Sequence, residues 1–475
     1  LTTNSDILRK RTGRITEEDT ASICYTSGTS GNPKGIILTH KNYITNVEQA
    51  SAVLPIPEWY TSLLILPWDH SFAHTAGIYT LMKNGASIAS VEVGKTKIET
   101  LKNIPKNIQE IKPVFLLTVP SLAQNFKRNI EKSIEAKGRV AEVLFKVALA
   151  VSCHYKGSSY NQKTKGKIFL KPLHTLFDRT IFSRIREGFG GRLEFFIGGG
   201  SLLSLELQTF FSAIGLPIYQ GYGLTEAAPI ISANAPEKYR LGSSGIPVRD
   251  LDIKICSEEG SILPLGEKGE ICVRGENIMK GYWKNPHATR EVIKDGWLHT
   301  GDLGYLDRDG FLYVLGRKKT LLIGDDGEKY SPEGIEEAII SSSSLISQLI
   351  LYNNQSPYTV ALIVLDPLRV AAFLKSRKLT SGNLEGQQLI IRSIEAEINR
   401  YRHGDNRGTF PTRWLPSAFS LLEEGFTEEN KLLNSTLKIV RLKIIETHRE
   451  RIDFMYTSQG KDHYNSQNLQ CISRL

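Results

Sequence analysis

Apolar residues in the first two hundred positions gather in short runs closed by glycine, proline or hydroxyl clusters, and these runs alternate with longer stretches of helical spacing. The pattern predicts strands over 21–25, 35–39, 63–66, 87–91, 114–119 and 193–197. Helices are predicted over 75–83 and from Ser121 and Ser204 onward. Strand and helix in repeated succession imply an α/β fold with largely parallel strands. Residues 125–191 read as a basic, helix-rich insertion between two sheet strands.

From Gly242 the texture shifts to short strands with Gly-rich turns, over 251–256, 269–274 and 310–315, which predicts a β-rich subdomain at 242–315. Past Gly316 helices and strands alternate again, with strands over 347–352 and 358–365. A chain of 475 residues exceeds what one core supports. The expected organisation is a large multi-sheet N-terminal domain at 1–317, a hinge near Gly316-Arg317-Lys318-Lys319, and a small α+β C-terminal domain at 318–475.

The stretch Thr26-Ser27-Gly28-Thr29-Ser30-Gly31-Asn32-Pro33-Lys34-Gly35 joins two predicted strands. Its glycines free the backbone so that amides can converge on an anion, its hydroxyls add donors, and Lys34 adds a point charge. Lys34 precedes its glycine, so this is not the GxxxxGK[ST] loop of GTPases. The competing reading, a surface linker, is weakened by the apolar strands on both sides and the embedded Pro-Lys-Gly.

Composition places the chain among globular proteins, at 40% hydrophobic and 23% charged residues. The most apolar long stretch, 140–153, is interrupted by Glu142 and Lys146, so no membrane-spanning helix is expected. Residues 1–14 lack a continuous apolar core, so no secretory signal is expected. Five cysteines without a CxxC pair argue against a zinc site or disulfide framework and fit a reducing cytoplasm. The net charge of +9 is scattered; a solvated basic face is the first reading, peripheral contact with an anionic membrane the second, and nucleic acid the last. His70 and His74 stand one helical turn apart without an HExxH pattern, and no Gly-x-Ser-x-Gly elbow is present.

Further segments carry polar chemistry. Gly198-Gly199-Gly200-Ser201 ends a strand and lets backbone approach a flat ring. In Gln220-Gly221-Tyr222-Gly223-Leu224-Thr225-Glu226, Tyr222 is placed to stack on a purine and Glu226 to hold Mg2+ against phosphate oxygens; a simple hairpin or helix-start turn is the plainer reading. Asp302, in His299-Thr300-Gly301-Asp302, is either a ribose acceptor or a solvated turn aspartate. Lys438 lies in a loop ahead of a basic segment, where an ordinary surface lysine is the alternative.

Taken in order, 25–35, Leu66-Pro67-Trp68-Asp69-His70, 220–226, Gly296-Trp297-Leu298-His299-Thr300-Gly301-Asp302, Gly316-Arg317-Lys318-Lys319 and Ser435-Thr436-Leu437-Lys438 resemble the adenylate-forming enzymes, the superfamily of acyl-CoA synthetases, luciferases and nonribosomal adenylation domains. The resemblance covers 20–450. The insertion at 125–191, the segment 316–336 and the Thr-Leu-Lys near the end are most similar to long-chain fatty acyl-CoA synthetases.

That resemblance implies a C-terminal lid and a set of roles. Thr26, Ser27, Gly28, Thr29, Ser30, Gly31 and Lys34 would embrace the β- and γ-phosphates of ATP, and Tyr222 with Gly200 would flank adenine. Gly221, Gly223 and Thr225 would complete the nucleotide site, Thr26 and Glu226 would ligate Mg2+, and Asp302 with Arg317 would hold the ribose. His70 would meet the acyl carboxylate, Lys319 would be the hinge residue, and Lys438 the catalytic lysine. The implied reaction converts a fatty acid and ATP to acyl-AMP and pyrophosphate, then transfers the acyl group to CoA. The alternatives are a fragment that binds nucleotide or acyl chains without turnover, and a ligase of the same superfamily that serves a carrier protein or stops at acyl-AMP. The family carries a long segment upstream of the phosphate loop, so the N-terminal domain is expected to be incomplete. Gly200-Ser201 stands where Ala-Pro is common, and Asn434-Ser435 where Thr-Pro usually precedes the lysine loop.

Overall fold

A computed structural model describes residues 5–26, 33–159, 169–404, 406–434 and 439–475. The chain divides into two compact units, the first running to Val314 and the second from Leu315 to Leu475.

In the first unit, β1 (Thr20–Thr26) and β2 (Lys34–Thr39) pair antiparallel, with Tyr25 opposite Gly35 and Thr26 opposite Lys34. A sheet of seven strands follows: β3 (Thr61–Leu64), β4 (Ser87–Ser90), β5 (Phe115–Thr118), β6 (Phe195–Gly198), β7 (Ile218–Gly223), β8 (Ile230–Ala233) and β9 (Ile246–Pro247). Its order is β4-β3-β5-β6-β7-β8-β9, parallel through β7 and antiparallel thereafter.

The central strands are buried on both faces, which is why they read as unbroken apolar runs. Alternation of side chains sends Leu116 and Phe196 into one core, with Phe126, Phe182 and Phe211 of the covering helices. Phe115, Leu117 and Phe195 go to the opposite core, with Ile56, Leu81 and Tyr219. The insertion between β5 and β6 is helical over Pro120–Glu135, Arg139–Lys156 and Lys171–Phe177, and it covers the first of these cores. The helix expected over 75–83 begins as a wide π-type turn at Ala73–Tyr79 and tightens to α at Thr80–Lys83.

The β-rich subdomain contains β10 (Leu251–Cys256), β11 (Gly269–Gly275), β12 (Gly281–Tyr282), β13 (Ile293–Lys294), β14 (Trp297–Leu306) and β15 (Leu312–Arg317). Strands β10-β11-β14-β13 form one sheet in that order and β15 pairs with β14, whereas β12 adds to the edge of β2.

The second unit is built on β18 (Ile346–Tyr352), β20 (Val360–Leu365) and β21 (Ala418–Leu422); a smaller sheet of β16 (Leu322–Gly324), β17 (Lys329–Tyr330) and β19 (Asn354–Ser356) accompanies it. Leu349, Leu351, Ala361 and Ile363 face helices Glu333–Ser342 and Leu384–Asn399. Ile350, Val360, Leu362 and Val364 face Ile444, Ile452 and Met455. Here too, period-two alternation feeds two cores from one sheet.

Candidate functional site

Three of the chemistry-bearing segments leave the carboxyl ends of strands in one sheet: 66–70 follows β3, 198–201 follows β6, and 223–226 follows β7. That edge is where open α/β sheets bind ligands, because connecting loops there diverge and leave a crevice. Ser71 Oγ lies 3.1 Å from Thr225 Oγ1, linking the segment after β3 to the one after β7. The backbone N–H of Phe72 donates to His70 Nδ1 at 3.3 Å, so the neutral imidazole carries its proton on Nε2. His74 does not join His70 as a ligand pair; its ring sits among Tyr43 and Tyr79, with Nδ1 3.1 Å from the Trp68 carbonyl.

The glycines are there for close approach. A Cβ on Gly223 would lie 2.0 Å from the Pro229 carbonyl oxygen, so only glycine allows β7 to turn against the segment that starts β8. A Cβ on Gly199 would meet the Phe72 ring at 2.9 Å; the flat ring that this glycine admits is the protein's own. Gly200 is exposed and adopts φ +85°, a conformation that glycine takes without strain.

On the phosphate-loop side, Ser27, Gly28, Thr29, Ser30 and Gly31 lie outside the described residues, as does Lys438. The described flanks, Thr26 and Lys34, are cross-strand partners. Lys34 Nζ lies 4.9 Å from the centre of the Tyr282 ring, and the Tyr282 hydroxyl donates to Glu226 Oε1 at 2.9 Å. Tyr282 therefore bridges the loop lysine and the candidate metal carboxylate. It is only 8% exposed because β12 pairs it with Ile36 of β2. Glu226 and Thr26 offer oxygen donors only, which suits a hard cation such as Mg2+.

Asp302 does not occupy the turn expected for it. It lies within β14, inside an interruption of the ladder with β11: Cys272 pairs with His299 and Glu270 with Leu303, so one residue of β11 faces three of β14. Such a bulge re-aims side chains. Gly301 supplies the positive φ of 71°. Glu270 Oε1 accepts the Gly301 N–H at 3.1 Å, and the Thr300 hydroxyl donates to the Ile271 carbonyl at 2.8 Å. Asp302 is thereby buried, 5% exposed, and its Oδ2 accepts the Tyr222 hydroxyl at 2.7 Å. A carboxylate buried this far is held by directed hydrogen bonds rather than by water.

The unit boundary after Val314 falls within β15, so Arg317 at the end of that strand is counted, like Lys319, with the second unit; both are exposed, Lys319 in a short 3-10 turn over Lys318–Thr320. In the same unit Arg441, the first residue of helix Arg441–Thr447, makes a two-armed ion pair with Glu336, at 2.9 Å (Nη1 to Oε1) and 2.6 Å (Nη2 to Oε2). Arg441 also donates to the Leu351 carbonyl at 3.0 Å. Burial pushes the guanidinium pKa down, but the Glu336 carboxylate more than offsets it and the net shift is upward. Tyr282, Ser71, Glu270 and the Arg441–Glu336 pair are absent from the sequence-based site. Nothing in their local spacing marks them.

Residues 3–283 match the family model described as AMP-binding enzyme. The long-chain-fatty-acid–CoA ligase FadD15 of Mycobacterium bovis is 29% identical to this chain, covering 95% of it and 72% of the relative. A chloroplastic long-chain-fatty-acid–[acyl-carrier-protein] ligase of Arabidopsis thaliana is 30% identical over 96% of this chain and 64% of its own length. The chain thus spans roughly two thirds of these relatives. Among solved structures, O-succinylbenzoate coenzyme A synthetase of Bacillus subtilis in complex with AMP shares the fold with a TM-score of 0.62 at 22% identity, over 90% of this chain and 70% of that one. No helix among the described residues is long and apolar enough to cross a membrane. With a family match over more than half its length, set on a mixed α/β fold of several sheets, the chain belongs to the AMP-binding enzyme family.

Proposed function

We propose that this chain is an acid–thiol ligase that activates a long-chain fatty acid with ATP and transfers the acyl group to CoA. The observation that carries the reading is the double use of one stretch at the carboxyl end of β7. Tyr222 reaches the buried Asp302 carboxylate, and Glu226 reaches Lys34 through Tyr282. One arm suits ribose hydroxyls, the other a polyphosphate and its cation.

In the first step a carboxylate oxygen attacks the α-phosphorus, the bond to the β-phosphate oxygen breaks, and pyrophosphate leaves. Carboxylates are nucleophilic at neutral pH, so the protein needs no general base here; it must orient the reactants and neutralise spreading charge. Lys34 and the amides of residues 27–31 take the phosphates, Asp302 and Arg317 the ribose, Tyr222 and Gly200 the adenine, and His70 the acyl carboxylate. When bound, Mg2+ supplies further charge neutralisation, and Thr26 and Glu226 are the residues that would hold it. In the second step the thiolate of CoA attacks the acyl carbonyl carbon, the acyl–oxygen bond to phosphate breaks, and AMP leaves. Lys438 stabilises the first transition state, and Lys319 is the hinge between the two half-reactions.

The long-chain assignment is supported by the names of the relatives and by the helical insertion at 125–191. Each methylene buried contributes about 0.8 kcal/mol, so an apolar acyl site favours length steeply. The carrier-protein ligase among the relatives makes phosphopantetheine the alternative acceptor.

The test is hydroxylamine trapping of acyl adenylates across acetate, octanoate, palmitate and a cinnamate-type acid, followed by thioester formation with CoA or a phosphopantetheinylated carrier. ATP-dependent palmitoyl hydroxamate and palmitoyl-CoA are expected. A preference for octanoate, acetate or the aromatic acid overturns the substrate class, and thioester on the carrier alone overturns the acceptor.

A further inference from the structure

One cluster of chemistry-bearing side chains lies beside the nucleotide-facing residues but has no role in the reaction above. Cys272 and His299 are direct cross-strand partners on β11 and β14, and Glu270 lies two residues before Cys272 on the same face. One ligating atom from each of the three lies within 4.8 Å of the others. His299 Nδ1 is 3.4 Å from Cys272 Sγ and 3.4 Å from Glu270 Oε2.

The separation from the carboxylate oxygen is long for a hydrogen bond, whose N···O distances cluster at about 2.7–3.2 Å. One ring nitrogen also cannot serve two in-plane partners at once. The same spacings match the edges of a tetrahedron around a metal. With bond lengths of about 2.0–2.2 Å to nitrogen and oxygen and 2.3 Å to sulfur, those edges come to about 3.4–3.6 Å. The second carboxylate oxygen of Glu270 is held by the Gly301 N–H, as an outer-shell partner would orient a ligand.

We propose that Glu270, Cys272 and His299 form a site for a divalent cation of the Zn2+ class, with three protein ligands and an open position. A thiolate, an imidazole and a carboxylate select such a cation over Mg2+ or Ca2+, which require oxygen donors. Burial pushes the Cys272 thiol well above its ordinary range, so the metal-free site keeps the thiol protonated and binding releases that proton.

The whole chain, stripped with a chelator, is titrated with Co2+ and then with Zn2+. A thiolate-to-cobalt charge-transfer band and the intense visible bands of tetrahedral Co2+ are expected, saturating at equal concentrations of metal and chain and erased by Zn2+. Cys272→Ser removes the charge-transfer band. His299→Gln and Glu270→Gln each weaken Co2+ binding by more than the roughly 10–100-fold that loss of an outer-shell partner costs. Cys153→Ser, in helix Arg139–Lys156, leaves the spectrum unchanged. Absence of the band in the unmodified chain overturns the site, as does a band that survives Cys272→Ser but is lost in Cys256→Ser. Should Cys272→Ser fail to fold by circular dichroism, an unaltered spectrum and affinity in His299→Gln overturns it equally.

Discussion

The Tyr222 hydroxyl donates to Asp302 Oδ2 across 2.7 Å, joining the end of a strand in the seven-stranded sheet to the bulge of the β-rich subdomain. Tyr222→Phe removes a hydrogen bond to a charged group, worth roughly 1.5–3 kcal/mol. The expected result is a lower urea midpoint at unchanged slope, together with a higher KM for ATP. Asp302→Ala should weaken ATP more than fatty acid. ATP affinity unchanged in a folded Asp302→Ala variant would remove the ribose role.

Tyr282 separates two functions within one side chain. Tyr282→Phe loses the hydrogen bond to Glu226 but keeps a ring beneath Lys34, and kcat/KM for ATP should fall about tenfold, the equivalent of one charged hydrogen bond. Tyr282→Ala also loses the cation–π contact, worth about 0.5–2 kcal/mol, and should fall further. Equal kinetics for the two variants would show that the ring beneath Lys34 contributes nothing, and a Tyr282→Phe variant as fast as the parent would show the same of the hydroxyl.

Lys438→Ala should abolish adenylate formation and spare thioester formation from preformed acyl-AMP, because the role proposed for its charge ends once pyrophosphate has left. A loss of about 100-fold or more is expected, by comparison with removal of a preorganised electrostatic donor. Pyrophosphate release and thioester formation are measured separately, and equal damage to both contradicts the assignment.

The Arg441–Glu336 pair anchors the helix that begins three residues after Lys438. Arg441→Met strands a buried carboxylate and should cost about 3–5 kcal/mol in chemical denaturation. Replacing both partners with apolar residues should recover much of that loss, because the desolvation cost of both ions disappears. A single variant as stable as the parent would show that the pair is solvated.

Burial, reinforced by the charge of Lys156, lowers the pKa of His174 below the ordinary value of 6.5, while Nδ1 lies 2.9 Å from Ser152 Oγ. The unfolded chain then binds the proton more readily than the folded one. The contribution of His174 is complete above about pH 6.5 and is lost as pH falls from there through the depressed folded value. Urea melts at descending pH should show a shallower loss of stability for His174→Gln than for the parent. Parallel pH slopes would exclude the linkage.

How far the chain announces its own structure depends on the range of each interaction. Residues 251–256 form the expected strand, and Ser204 caps helix Leu205–Ala213 by accepting the Leu207 N–H, as its place ahead of an apolar stretch suggests. The phosphate-loop flanks and the helical insertion follow from the same short-range signals, period-two burial, caps and glycine breaks, whereas the strand Ile218–Gly223 and the sheet order come from the tertiary structure.

The sequence by itself determined the elements, the α/β class and the motif segments, because periodicity, capping and glycine conformational freedom act between near neighbours. Only the tertiary structure decided which groups meet. Tyr222 and Asp302 are 80 residues apart, Tyr282 and Glu226 56 apart, and Arg441 and Glu336 105 apart. The sequence also left Asp302 at a turn, since Gly301 supplies the usual signal for one; pairing across β11 and β14 absorbed that glycine into a bulge and buried the carboxylate. Strand register and burial are collective properties of the packed sheet, and they set these distances where local spacing carries no trace of them.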